Sequence, residues 1–287
     1  MKRIIVLGGT GLLGTPLVKK LKDIKDNVYS IGNLSKADFQ IDLLDTFDTF
    51  KFLTVLKPAL IINLVALTNV DKNEANIQKA YLINIKTIEN VVNWIIKESV
   101  HSHLIHISTD QVYDNLGYSK ENEINLTNIY ALTKYMSESV VKQVQATVLR
   151  TNFFGKSQTK DRISLSDWLV DAFKNRRKID LFTDIYFNPL HFSTLIEMII
   201  KIIDAPVGGV FNLGSRDGLN KMEFARYLAK TLNLDDSNAS NSLSSEYGFK
   251  ACRPKNMLMN ITNFEQVFYI KLPTLKEEIE RLKNDYR

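Results

Sequence analysis

One cysteine, Cys252, stands in 287 residues. A lone thiol excludes an intramolecular disulfide framework and suits a reducing compartment, so a cytoplasmic protein is expected, with Cys252 structural or incidental. No apolar run reaches about 18 residues, which argues against a membrane-spanning helix. The opening "MKRIIVLGGTGLLG" has two basic residues and an apolar run, but glycines break it and no small-residue cleavage site follows. It reads as the first strand of the fold and not as a secretion signal. The four histidines, His101, His103, His106 and His191, show no metal-ligand spacing with cysteines or carboxylates, and no catalytic metal is expected. The net charge of +5 is scattered among acids ("KNEANIQK", "LKEEIERLKNDYR"). Interspersed charge marks solvated helix faces, and no basic block points to nucleic acid. The small excess suits an anionic small molecule. A hydrophobic share of 45% and a charged share of 24% exclude a disordered or fibrous chain.

What is present is an alternation. Strand-like runs "RIIVLG", "NVYSIG", "ALIINLVA", "HLIHIS" and "ATVLRT" alternate with helical stretches over 11–24, 45–56, 76–99 and 128–144. Such βαβ units predict an α/β fold, a Rossmann-type doubly wound parallel sheet covered on both faces. After Asn152 the rhythm loosens. Helices are predicted over 165–175, 194–204 and 220–234, with strands over 178–182 and 209–214. "DDSNASNSLSSE" (235–246) reads as a polar loop, and no internal repeat occurs. The expected organisation is a dinucleotide-binding domain over 1–155, with 186–213 returning to it. A smaller substrate-binding domain is expected over 156–185 and 214–287.

"VLGGTGLLGTPL" sets Gly9, Gly11 and Gly14 in G-x-G-x-x-G, and Gly8, Gly11 and Gly14 in G-x-x-G-x-x-G. The motif follows a strand and opens a helix, the context a pyrophosphate-binding turn requires. After the second strand comes no acid for a ribose diol, only Gly32, Asn33, Ser35 and Lys36. That favours NADPH, with NADH the alternative. Lys36 either pairs with a 2′-phosphate or is a loop lysine. Asp42 either meets the adenine or caps a helix. The candidate cofactor-binding positions are Gly8, Gly11, Leu12, Leu13, Gly14, Asn33, Lys36, Asp42, Leu43 and Ala66, together with Tyr130 and Lys134.

In "HLIHISTDQVYD" an apolar strand ends in Ser108, Thr109, Asp110 and Gln111. Polar groups at the carboxyl end of a parallel strand face a ligand crevice in open α/β sheets. In "NIYALTKYM", Tyr130 and Lys134 lie four apart and share a helix face. A nearby ammonium favours the phenolate and tunes a tyrosine as a general acid or base.

With "VLGGTGLLG", "TNVDKNE", "HISTDQVYD", "IYALTKYMSE", "VLRTNFFG" and "CRPKNMLMNITNF" in this order, the chain resembles the extended short-chain dehydrogenase/reductases. Within them it is similar to the dTDP-4-dehydrorhamnose reductase group, NADPH-dependent reductases of nucleotide-linked keto-sugars. The resemblance covers nearly the whole chain. It implies Thr109 as the hydroxyl that bonds the substrate carbonyl, Tyr130 as proton donor and Lys134 as the ribose-binding cation. It implies Asn84 as the helix asparagine of a proton relay. Ser108 reads as structural, satisfying strand-end backbone groups. Related 4,6-dehydratases carry Glu after the Asp, where this chain has Gln111, and an amide cannot serve as the base for dehydration. A tryptophan of the rhamnose-forming enzymes is replaced within "RTNFFG".

Asp110, Gln111, Asn152, Phe153 and Arg253 complete the expected substrate set, with Arg253 a diphosphate contact or a surface ion pair. The expected activity is reduction of a nucleotide-linked 4-keto-6-deoxyhexose in deoxysugar and polysaccharide biosynthesis. The alternatives are an NADP-binding regulatory subunit like that of methionine adenosyltransferase and a sugar-nucleotide epimerase. A homodimer is compatible with all three.

Overall fold

In the computed structural model, β1 (Ile4–Leu7) is buried along its whole length and lies inside a seven-stranded sheet. The structure describes residues 2–33, 36–98, 100–159 and 161–287; Ser35 lies outside them. β2 (Val28–Gly32), β3 (Phe39–Gln40), β4 (Leu60–Asn63), β5 (His103–Ile107) and β6 (Ala146–Thr151) follow. The order across the sheet is Gly209–Leu213, β6, β5, β4, β1, β2, β3. All pairings from β6 through β3 are parallel. Strand order reverses at β1, flanked by β2 and β4, which opens a crevice at their carboxyl ends.

The chain divides into two units. Unit 1 comprises Met1–Thr109, Asn128–Leu149 and Ile196–Val210. Its helices include α1 (Gly14–Ile24), α2 (Thr46–Leu56), α3 (Val70–Ala75), α4 (Ile77–Tyr81), α5 (Thr87–Lys97) and α6 (Ile129–Val141). Ile5, Leu7, Ile61 and Leu104 from the sheet pack with Ile88, Val91, Val92 and Trp94 from α5. Each such side chain, fully buried, contributes about 1.5–3 kcal/mol.

The single helix expected over 76–99 is interrupted. A π-turn, Leu82–Lys86, separates α4 from α5, and Thr87 N–H bonds the Leu82 carbonyl. π-turns inside helices are frequent at functional sites, and this one carries Asn84.

Unit 2 comprises Asp110–Thr127, Arg150–Leu195 and Phe211–Arg287. Of the 186–213 stretch, residues 196–210 fall in unit 1 and the rest here. Its elements are β7 (Phe153–Phe154), α7 (Leu165–Lys174), β8 (Ile179–Phe182), β9 (Tyr186–Phe187) and β10 (Leu190–His191). Next come α8 (Phe192–Asp204), which runs on into unit 1, and β11 (Gly209–Leu213), the sheet's edge strand. β12 (Leu219–Asn220), α9 (Lys221–Thr231) and β13 (Ala239–Ser242) lead to α10 (Thr262–Phe268), α11 (Leu275–Glu280) and α12 (Leu282–Asp285). The polar stretch 235–246 is not all loop: β13 pairs in parallel with β8. Backbone hydrogen bonding, not apolar patterning, makes that strand. Phe154, Leu169, Phe187, Phe224, Leu228, Leu275 and Ile279 form the unit's own core.

Candidate active site

The glycine loop has the backbone that its sequence demands. Gly8 adopts a φ of 75°, and a Cβ on Gly14 would lie 2.3 Å from the Gly8 carbonyl oxygen. Only bare backbone lets α1 start this close to β1. Leu13, the N-cap of α1, provides no side-chain cap, and the first turn carries no acid. Among the described residues nothing accepts from the N–H groups of Leu12 or Leu13. An uncapped, positively polarised helix start next to a glycine cradle fits a dinucleotide pyrophosphate.

Beyond β2, Asn33 and Lys36 are exposed. The reading of this tip missed Asp38, which folds back: its Oδ2 accepts from Ser30 N–H at 2.7 Å and from Ser30 Oγ at 2.8 Å, and Lys22 pairs with it at 2.7 Å. Burial raises its pKa, but the Lys22 and Ser30 hydrogen bonds outweigh that and hold it below the usual carboxylate value. Asp42 accepts from Leu44 N–H, whereas Asp45 is the N-cap of α2. Leu43 is buried, its carbonyl held by Asn90, and Ala66 follows β4 at the crevice edge.

α6 begins at its N-cap Asn128, whose side chain accepts from Ala131 N–H. Tyr130 is 7% exposed and Lys134 1%. Lys134 Nζ donates to the Ile107 carbonyl at 2.8 Å, at the carboxyl end of β5 two residues before Thr109. Burial pushes the Lys134 pKa down to about 8, while Glu138 acts in the opposite sense. Thr109 itself is 4% exposed.

Beneath Lys134 lies a residue that the metal-ligand reading passed over. His106 is wholly buried. Asn63 Oδ1 accepts from Val65 N–H, which leaves Asn63 Nδ2 to donate to His106 Nδ1 at 3.0 Å. The ring proton is thereby assigned to Nε2, which donates to Ser137 Oγ at 2.9 Å. Ser137 in turn donates to the Lys134 carbonyl at 2.6 Å. Burial, and then the Lys134 charge, hold the His106 pKa well below its ordinary value, so the ring is neutral. A lone polar residue, His106, between apolar neighbours in a buried strand was the available signal.

Asn84 is 1% exposed and its amide is committed. Nδ2 donates to Asn73 Oδ1 and to Thr133 Oγ1, each at 2.9 Å, and Oδ1 accepts from Leu67 N–H at 2.7 Å. It ties the segment after β4 to the residue preceding Lys134. Ser108 meets a side chain where backbone partners were expected: Oγ donates to the buried Glu138 at 2.5 Å.

Unit 2 holds a cavity of about 250 Å³. Gln111, Asn152 and Arg253 line it, with Trp168, Phe182, Phe249 and Lys221. Asp110, 1% exposed, accepts from Asn152 Nδ2 at 2.7 Å. Arg253 stacks on Phe249 at 4.3 Å. Phe153 does not line the cavity; its ring lies against Phe192 at 5.5 Å. Lys221 escaped the sequence reading, although a cation in the first turn of a helix opposes the helix dipole and is itself a signal. Among the described residues no cluster of three His, Cys, Asp or Glu could hold a metal, and no helix is long and apolar enough to cross a membrane.

A structure of dTDP-4-dehydrorhamnose reductase from Bacillus anthracis in complex with NADP superimposes with a TM-score of 0.88 at 25% identity, covering 99% of both chains. The dTDP-4-dehydrorhamnose reductase of Aggregatibacter actinomycetemcomitans is 24% identical, over 94% of this chain and 95% of its own. Methionine adenosyltransferase 2 subunit beta of Xenopus laevis is 25% identical, over 93% of this chain and 82% of its own. The family profile described as "RmlD substrate binding domain" matches residues 1–287, and the chain belongs to that family of sugar-nucleotide reductases.

Proposed function

We propose that the protein is an NADPH-dependent reductase of a nucleotide-linked 4-keto-6-deoxyhexose, acting in deoxysugar and polysaccharide biosynthesis. The observation that carries the reading is the buried Lys134 ammonium, one helical turn from Tyr130 and bonded at the strand end that leads into Thr109. When bound, the cofactor supplies a hydride to the C4 carbonyl. Gly8, Gly11, Gly14 and the α1 N-terminus would hold its pyrophosphate, and Lys36 its 2′-phosphate. Lys134 would bind the nicotinamide ribose and lower the pKa of Tyr130. Tyr130 would deliver its phenolic proton to the C4 oxygen while Thr109 bonds that oxygen. Asn84, its amide already committed, acts as a positioning residue for α6. Gln111 provides no base, which disfavours dehydration.

Unit 2 would bind the nucleotide sugar: Arg253 the diphosphate, in a bidentate fork, and Asn152 and Gln111 the sugar. The beta-subunit relative supports a second reading, a regulatory subunit that binds NADP(H) without turnover. Incubation with NADPH and a panel of dTDP-, UDP-, GDP- and CDP-linked keto-sugars decides between them. Net NADPH oxidation with one donor supports the reductase. NADPH binding with no oxidation across the panel favours the regulatory reading, and product epimerisation without net oxidation favours an epimerase.

A further inference from the structure

Arg253 and Pro254 line the cavity of unit 2 from a stretch that belongs to no helix or strand. Proline fixes its own φ and confines the residue before it to extended backbone. The pair is therefore stiff, and whatever anchors the residues that follow aims the arginine. Pro254 has no N–H, so the next two backbone donors are those of Lys255 and Asn256.

Both go to one atom. Asp114 Oδ1 accepts from Lys255 N–H at 2.7 Å and from Asn256 N–H at 3.0 Å. Asn256 Nδ2 donates to the Gly117 carbonyl at 3.0 Å, three residues beyond Asp114. Tyr186 N–H donates to the Lys255 carbonyl at 2.8 Å, and the Tyr186 carbonyl accepts from Met257 N–H at 3.0 Å. Lys255 Nζ pairs with Asp184 Oδ2 at 2.6 Å.

Asp114 is itself tied to the cavity. It lies three residues after Gln111, another lining residue. Tyr113 N–H bonds the Asp110 carbonyl across the 3₁₀ turn Asp110–Val112, and Val112 and Tyr113 are wholly buried. The Tyr113 hydroxyl accepts from Arg150 and donates to Asn212, each at 2.7 Å. Gln111 and Asp114 thus flank one pinned turn. Across 141 positions of the chain, the Asp114 carboxylate joins the segment that carries Gln111 to the segment that carries Arg253.

We propose that Asp114 is a positioning residue for substrate binding: it holds Arg253 at the reach from Gln111 that a sugar-linked diphosphate requires. The inference rests on the reading of Arg253 as the diphosphate contact. A bidentate fork tolerates little displacement, because two N–H donors must meet two oxygens in one plane. Bonds to an ionised carboxylate are roughly twice as strong as neutral ones, which makes Asp114 a firm mount for an aimed side chain.

The test is a double-mutant cycle, read by calorimetric binding of dTDP, UDP, GDP and CDP to the intact chain, Asp114→Ala, Arg253→Ala and the double variant. Asp114→Ala should weaken the best-bound diphosphate by about 10-fold, the lower end of the range for a hydrogen bond to a charged group. Asp114→Asn keeps an acceptor oxygen at the same reach and should recover most of that loss. In the Arg253→Ala background, Asp114→Ala should change affinity by less than about 2-fold, since the two residues act through one contact. NADPH affinity should hold throughout. Asp114→Glu keeps the charge and displaces the oxygen by one methylene, and it runs the same cycle should the alanine variant not fold.

Unchanged diphosphate affinity in Asp114→Ala overturns the inference. So does a loss of equal size with and without Arg253, the result of a merely structural role, and so does an asparagine variant as weak as alanine. These outcomes leave Arg253 in place when Arg253→Ala itself weakens binding. An Arg253→Ala protein that binds like the parent, or a parent that binds none of the four nucleotides, overturns the diphosphate reading and the inference with it.

Discussion

Lys134 and Ile107 join a helix to a strand end: the Lys134 ammonium donates to the Ile107 carbonyl across 2.8 Å. That bond uses one of three N–H donors. It aims the side chain at the carboxyl edge of β5, where Thr109 follows.

Tyr130→Phe keeps the ring and removes the acid. Reductase turnover should fall by about 10²–10⁴-fold, while the dissociation constant for NADPH moves little. Steady-state kinetics with a substrate the parent reduces, alongside cofactor titration, provides the check. Turnover at the parental rate would refute Tyr130 as proton donor.

Lys134→Met should weaken NADPH binding as well as turnover. The Lys134 pKa is lowered to about 8 by burial, so its charge is lost as pH rises through that region. NADPH affinity of the parent should decline above about pH 8, and the variant should lack that limb. Fluorescence titration across pH reads both. A parental affinity that stays flat to high pH would remove Lys134 from the cofactor site.

His106 is held neutral, with its pKa well below 6.5. The unfolded chain takes up a proton on this histidine below about pH 6.5 and the folded chain does not. The folded state is therefore favoured by this group above that pH and loses the contribution as pH falls. His106→Gln, which has no such proton to gain, should show a shallower fall in melting temperature between neutral and mildly acidic pH. Parallel slopes for variant and parent would mean that His106 does not govern this region.

Gly14→Ala would place a methyl group against the Gly8 carbonyl oxygen, at 2.3 Å before any relaxation. The start of α1 must move away from β1. Overpacking of this kind costs about 1–3 kcal/mol, and NADPH affinity should drop together with the melting temperature. Full NADPH affinity in a folded Gly14→Ala protein would show that the cradle tolerates displacement.

The parallel sheet was legible because its strands are continuous apolar runs, such as Leu60–Ile62 and Leu104–Ile105, separated by helical stretches. The glycine loop was legible because Gly8 and Gly14 are demanded by backbone geometry that no other residue meets. Asp38 was not, since its partner Ser30 lies on β2 and only the fold brings the two together. β13 was missed because polar side chains on a short strand carry no alternation. The commitment of Asn84 to Asn73, Thr133 and Leu67 depends on a π-turn, which the amphipathic pattern around it does not announce.

That π-turn also acts as a phase shift. An α-helix advances about 100° per residue, so one surplus residue within Leu82–Lys86 rotates everything before it relative to α5. Removing a single residue there would restore uniform winding while turning α4 by roughly that angle. Asn84 would swing away from Thr133, and the buried face of α4, marked by Ala80, would turn outward. The segment is therefore length-locked. Substitutions in it are matters of degree, but a one-residue deletion changes which side of the helix faces inward.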